Sequence, residues 1–294
     1  MVGEQGGRGG GTAPLNGGAG DTAPLTTGAG GEHARLSAQV RAAYDSSAQD
    51  WADGPILMYA PLATALVRAA SAGTLDGQSV LDIGAGTGVA GRAALAAGAK
   101  RVVSVDLAHG MLRRCGPDLH PLAADAASLP FRDGSFDLVL AAFSLSHLPD
   151  LAAGLTQVRR TARALAASAF SPEWTHPAKD AVDATLAASG YRRPDWHDWL
   201  KIHGESAAGD PERLAAQATA AGFTGVRVRT VSVETGIRAP AEFVSWRLGM
   251  AQAAPFVRAL DPPAQAELRR AAGRAVAAAG GGPLTVPMLV LTAA

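Results

Sequence analysis

Residues 80–91 read Val-Leu-Asp-Ile-Gly-Ala-Gly-Thr-Gly-Val-Ala-Gly, an acid within an apolar run followed by glycines at 84, 86 and 88. Glycine reaches backbone angles closed to other residues and leaves no side chain where a ligand must approach the main chain. A turn of this kind, leading from a strand into a helix, also aims the free amides of the helix start at that ligand. Asp106 ends a second apolar run, Val102-Val103-Ser104-Val105-Asp106. An acid at this distance past a glycine turn can accept hydrogen bonds from both hydroxyls of a ribose; it can also cap the helix that follows, and the two roles are compatible. Removing such a charged acceptor costs about 1.5 to 3 kcal/mol. Asp125 and Ala126 follow a third run, and His147 follows a fourth, where an imidazole could accept a proton.

These residues need strand ends to hold them. Strands are expected at Ser79–Asp82, Arg101–Asp106, Leu119–Ala123, Phe136–Ala141 and Leu165–Phe170, with Ala-rich helices between them. That alternation implies right-handed crossovers and a doubly wound, mainly parallel α/β sheet with helices on both faces. Ligands of such sheets bind outside the carboxyl ends of the strands. Two helices near Glu32–Tyr44 and Leu57–Ala72 come first, as a cap over residues 32–78. Past Phe170, Asp210-Pro211-Glu212 starts a helix, Val226–Val233 alternates as a strand does, and helices near Pro240–Ala253 and Pro263–Ala279 precede a last run, Val286–Thr292. Segments 171–224 and 235–285 are expected to form a lid. Residues 1–31, rich in Gly, Ala, Thr and Pro with Thr-Ala-Pro-Leu at 12–15 and 22–25, read as a disordered tail.

The glycine spacing separates two ligand classes. A dinucleotide fingerprint needs a glycine three residues after Gly86, where Val89 stands. Gly-x-Gly-x-Gly preceded by Asp82, with Asp106, Asp125 and Phe136-Asp137 following in order, resembles instead the class I S-adenosylmethionine-dependent methyltransferases. The likeness extends over residues 32–170 and is closest to the small-molecule branch related to quinone and secondary-metabolite enzymes. It implies a seven-stranded sheet in the order 3-2-1-4-5-7-6, with Val286–Thr292 as the antiparallel seventh strand. It also implies S-adenosylmethionine as cofactor, held by Asp82, Gly84, Ala85, Gly86, Gly88, Asp106, Leu107, Met111, Asp125, Ala126 and Phe143. Tyr44 resembles the residue that closes over the methionine moiety. One departure is that relatives carry a Pro-Gly-Gly turn before the fifth strand, whereas Arg159-Arg160-Thr161-Ala162-Arg163 runs straight into it.

A sulfonium methyl is already activated, so such an enzyme must chiefly align a nucleophile and exclude water. His147 is the candidate base, with a locally bonded histidine as the alternative. Ser144, Trp51 and Phe170 are candidate acceptor contacts. So are Trp174, His176, Trp196 and Trp199, in a stretch that also holds Tyr191, His197 and His203 and three of the five tryptophans. The histidine spacing matches no familiar ligand pair, so no metal is expected. Lys plus Arg and Asp plus Glu both number 26, which removes the overall field that selects nucleic acid or an anionic membrane. With one cysteine and no apolar leader or spanning run, a cytoplasmic monomer or homodimer is expected. The reaction expected is methyl transfer to O, N or C of a small, aromatic or apolar metabolite. The rivals are a macromolecule methyltransferase, a nicotinamide-dependent oxidoreductase and a non-catalytic binding scaffold.

Overall fold

The computed structural model describes residues 27–71, 74–172 and 174–294. The apolar runs become strands β1 (Ser79–Ile83), β2 (Arg101–Asp106), β3 (Leu122–Ala123), β4 (Phe136–Ala142), β5 (Ala162–Phe170), β6 (Arg227–Glu234) and β7 (Thr285–Ala293). They form one sheet in the order β3-β2-β1-β4-β5-β7-β6, as expected. β1 to β5 pair in parallel, and β7 runs antiparallel to both β5 and β6.

The helices are α1 (Thr27–Ser46), α2 (Ala48–Asp53), α3 (Ile56–Ser71), α4 (Val89–Ala96), α5 (His109–Leu112), α6 (Leu151–Thr161) and α7 (Pro177–Ala188). They continue as α8 (Asp195–Trp199), α9 (Ser206–Ala208), α10 (Pro211–Ala220), α11 (Pro240–Leu248), α12 (Ala254–Ala259) and α13 (Pro262–Ala279). Alternate side chains along each strand divide the interior. Val80, Leu138, Leu140, Ala166 and Met288 face a core shared with α3, α4, α7, α11 and α13. Leu81, Val139, Ala141, Leu165 and Leu291 face another, shared with α6 and α10. Both faces of the inner strands are therefore covered, which is why those strands read as continuous apolar runs.

Several boundaries differ from expectation. The tail expected at 1–31 lies outside the described residues up to position 26, as does residue 72; positions 27–31 belong to α1. The third strand shrinks to two residues because Pro117–Leu119 form a 3-10 turn and Pro121, which lacks an N–H, follows His120 in a left-handed conformation. The helix expected over Pro240–Ala253 ends at Leu248, where Gly249 meets α2 so closely that a Cβ would stand 2.6 Å from the Asp50 carbonyl oxygen. α6 passes into β5 with no intervening residue, Thr161 ending one and Ala162 starting the other. The expected lid is also misplaced. α7, α11 and α13 pack against one another and onto the sheet face, and no described residue past 150 lines the cavity. α1 supplies the roof instead.

Candidate active site

At the carboxyl end of β1 the chain turns through three glycines with positive φ: Gly84 at 62°, Gly86 at 55° and Gly88 at 84°. A Cβ on Gly84 would overlap Ser144, whose hydroxyl donates to the Ile83 carbonyl at 2.8 Å and ties the ends of β1 and β4 together. A Cβ on Gly86 would meet nothing within 4 Å, because that glycine borders open space. Beside it lies a cavity of about 510 Å³, within the size range of small-molecule sites.

Asp82 is fully buried. It borders the cavity; its Oδ2 accepts from the Gly91 amide at 2.9 Å, whereas its buried Oδ1 has no partner. Burial pushes its carboxyl up to about 7, opposed by the Gly91 amide. Thr87 Oγ1 is likewise buried and unpartnered at the cavity wall. At the end of β2, Asp106 Oδ2 accepts from the Gly86 amide and Oδ1 from the Ala108 amide, both at 2.8 Å. Burial raises this carboxyl too, against those two amides. Asp125 accepts from the Ala127 amide at 2.8 Å on an exposed rim. Each carboxylate oxygen has two lone pairs, so Asp106 and Asp125 can still accept from a ligand.

The opposite wall is aromatic. Tyr44, Trp51, Tyr59 and Phe143 follow one another with ring centroids 5.4, 4.9 and 5.5 Å apart. Tyr44 Oη lies 3.0 Å from His147 Nε2. The other ring nitrogen, Nδ1, lies 3.4 Å from Ser146 Oγ. Phe143 holds φ at 57°, a strained value for an aromatic residue and one that functional sites retain. Burial lowers His147 to about 4 and pushes Tyr44 well above its ordinary value, so both are neutral at pH 7. α1 closes the space from above with Ser37, Ala38, Val40 and Arg41. Its end is fastened where Asp45 Oδ1 accepts from the Gly110 amide at 2.5 Å, and its middle where Leu36 packs on Trp196 and Leu200.

Of the residues singled out in the sequence, the cavity gathers Tyr44, Asp82, Gly84, Ala85, Gly86, Asp106, Leu107, Met111, Asp125, Ala126 and Phe143, together with Trp51, Ser144 and His147. Gly88 does not line it; it starts α4, and a Cβ there would collide with Cys115 and Leu119. The aromatic stretch past β5 also lies elsewhere. Phe170 and Trp174 extend the ring series away from the cavity, and Trp174 donates to the Thr285 carbonyl at 3.2 Å. His176 is buried, stacks on Phe243 and caps α7 by accepting from the Ala178 amide. Trp196 and Trp199 pack against α1 from outside. Aromatic density there serves packing rather than the cavity. Tyr59 and Arg41 were missed; Tyr59 sits in an apolar helix where nothing local marks it.

Sheet order, glycine turn and the acids at the ends of β1 and β2 define a doubly wound domain of methyltransferase architecture. A methyltransferase domain model matches residues 81–166. The chain is 36% identical over 176 residues to a demethylmenaquinone methyltransferase of Beutenbergia cavernae, covering 54% of this chain and 71% of that protein. It is 33% identical to a malonyl-[acyl-carrier protein] O-methyltransferase of Halorhodospira halophila, over 53% of this chain and 57% of that one. A putative methyltransferase of Haloferax volcanii, solved with the Trm112 methyltransferase activator, shares the fold at 19% identity and a TM-score of 0.50, over 85% of this chain and 96% of that one. The chain belongs to the class I S-adenosylmethionine-dependent methyltransferases. Among the described residues no helix is long and apolar enough to cross a membrane.

Proposed function

We propose that this enzyme methylates O, N or C of a small, largely planar metabolite, with oxygen first, and that neither nucleic acid nor protein is its acceptor. The observation that carries the reading is the roof: α1 covers a cavity whose far wall is Tyr44, Trp51, Tyr59 and Phe143, which suits a small ring. Relatives named for a demethylated quinone agree with it. The balanced charge of the chain fits a small-molecule acceptor better than a phosphate backbone.

The unpartnered Asp82 Oδ1 and Thr87 Oγ1 are what a polar ligand head would satisfy, so the residues present fit the cofactor. Asp82 and Tyr44 would hold its methionine part, Asp106 its ribose, and Asp125 with Ala126 its adenine; when bound it supplies an electrophilic methyl. His147 would serve the acceptor, and the Tyr44 hydroxyl that meets it would lie where the cofactor's methionine part and the acceptor adjoin. Neutral His147 has Nε2 beside the Tyr44 hydroxyl, and as the tautomer protonated on Nδ1 it would present Nε2 as a proton acceptor either directly or through that hydroxyl. A base lowered to about 4 is weak, yet an oxygen becomes strongly acidic as it gains a methyl, so a weak base suffices late in the step. The aromatic wall and the roof exclude water that would compete for the methyl.

Calorimetry with S-adenosylhomocysteine, followed by a panel of phenols, quinols, amines and thiols with methyl-labelled donor, tests this. Label on a hydroxylated ring is the expected result. Tight binding of the cofactor product with label appearing only on RNA or protein would overturn it.

A further inference from the structure

A further element touches the two segments that carry Tyr44 and His147 without lining the cavity. Leu200–Glu205 form a π-helical turn between α8 and α9, a rare geometry frequently found at functional sites. Leu200 at its start packs with Trp196 against Leu36, beside Val40 and Ala43 of α1, the helix that carries Tyr44. Gly204 near its end is buried against the backbone of Ser146, the neighbour of His147. A Cβ on Gly204 would overlap the Ser146 carbonyl oxygen and stand 2.9 Å from its carbon. Main chain meets main chain there, so no flexible side chain can yield.

We propose that the π turn Leu200–Glu205 is a positioning bracket that fixes the separation of Tyr44 and His147, with Gly204 the residue that allows it to close on Ser146. The wider turn lets one short segment reach α1 with Leu200 and the 144–147 loop with Gly204. A Lys201–Glu205 ion pair of 2.7 Å spans its outer side. The groups that act on His147 are Tyr44 from α1, the Phe143 backbone and Ser146 from its own loop, Lys201 from the bracket and His197 from α8. The proposal rests on the acceptor-end reading above, but its test observes the imidazole itself and not only turnover.

Nitrogen NMR of the histidine rings in the full chain, with the His147 signal assigned by its loss in His147→Gln, reads that position directly. In the parent protein the ring should stay neutral down to about pH 4. In Gly204→Ala the midpoint should rise by about one pH unit as water reaches the ring. Turnover at saturation should fall about tenfold, with the donor KM changed less than about twofold. Leu214→Ala, in the core between α10 and the sheet, should lower the melting temperature and move neither quantity. If Gly204→Ala does not fold, Leu36→Ala, which loosens the bracket from α1 and leaves only a side-chain void, should shift the midpoint the same way. An unmoved His147 titration in whichever variant folds overturns the bracket. A moved titration beside full turnover in His147→Ala would uphold the bracket and overturn the base.

Discussion

The cavity's two ends are built differently. At the glycine end the backbone contacts of the acids are short-range in sequence: Asp82 to Gly91 spans nine residues and Asp106 to Gly86 spans twenty. At the other end Tyr44 and His147 lie 103 residues apart and meet only because α1 folds over β4. Burial acts on both ends and drives each group toward its uncharged form, raising Asp82 to about 7 and lowering His147 to about 4. One end is thus a backbone cradle awaiting a charged partner, and the other is a neutral pair held by tertiary packing. Binding should be governed at the first end and chemistry at the second.

The sharpest attempt to break that division is His147→Ala. Turnover at saturating acceptor should fall about a hundredfold or more, while S-adenosylhomocysteine affinity by calorimetry stays within about twofold. Loss of affinity with unchanged turnover would reverse the assignment of the ends. Asp106→Ala should do the opposite and weaken that affinity about ten- to a hundredfold, equivalent to about 1.5 to 3 kcal/mol. The pH dependence sharpens the cradle further. Asp82 titrates near 7 in the ligand-free fold but near 3.8 when solvated, so between these values the folded state binds more protons than the unfolded one. Ligand-free stability contributed by Asp82 therefore declines as pH rises through that window and is level above it. A cationic amino group beside Asp82 favours the ionised form, so affinity should fall about tenfold for each pH unit below 7, and the slope should vanish in Asp82→Asn. The smallest effect tests the excluded aromatic stretch. His176→Ala should cost about 1 kcal/mol in thermal or denaturant unfolding through loss of the α7 cap, with kcat and KM within about twofold of the parent.

The same contrast explains what the sequence disclosed. The glycine turn, Asp106 and Asp125 are positioned by strand ends close to them in the chain, so a linear reading finds them. Most strands and the turnless passage from α6 into β5 were legible because apolar runs and missing turn residues are local signals, whereas the strand order came only with the family resemblance. Tyr59 and Arg41 were not, since their role depends on how α3 and α1 cross the sheet. The Trp and His residues past Phe170 misled for the same reason. An aromatic cluster looks alike whether it faces a cavity, as Trp51 does, or wedges helices together, as Trp174 and Trp196 do. The π turn leaves no periodic trace of its own.

The position of β7 has a consequence for synthesis. β6 has no partner in the sheet but β7, and β5 presents an open edge until β7 adds to it, yet β7 follows both in the chain. A nascent chain made through residue 280 would therefore carry two bare strand edges, the condition that favours intermolecular pairing. β6 reads Arg-Val-Arg-Thr-Val-Ser-Val-Glu, and its arginines and terminal glutamate are the charges that discourage such pairing on an edge strand. Its polarity, which contributes nothing to the cavity, guards the chain during the interval before the sheet can close.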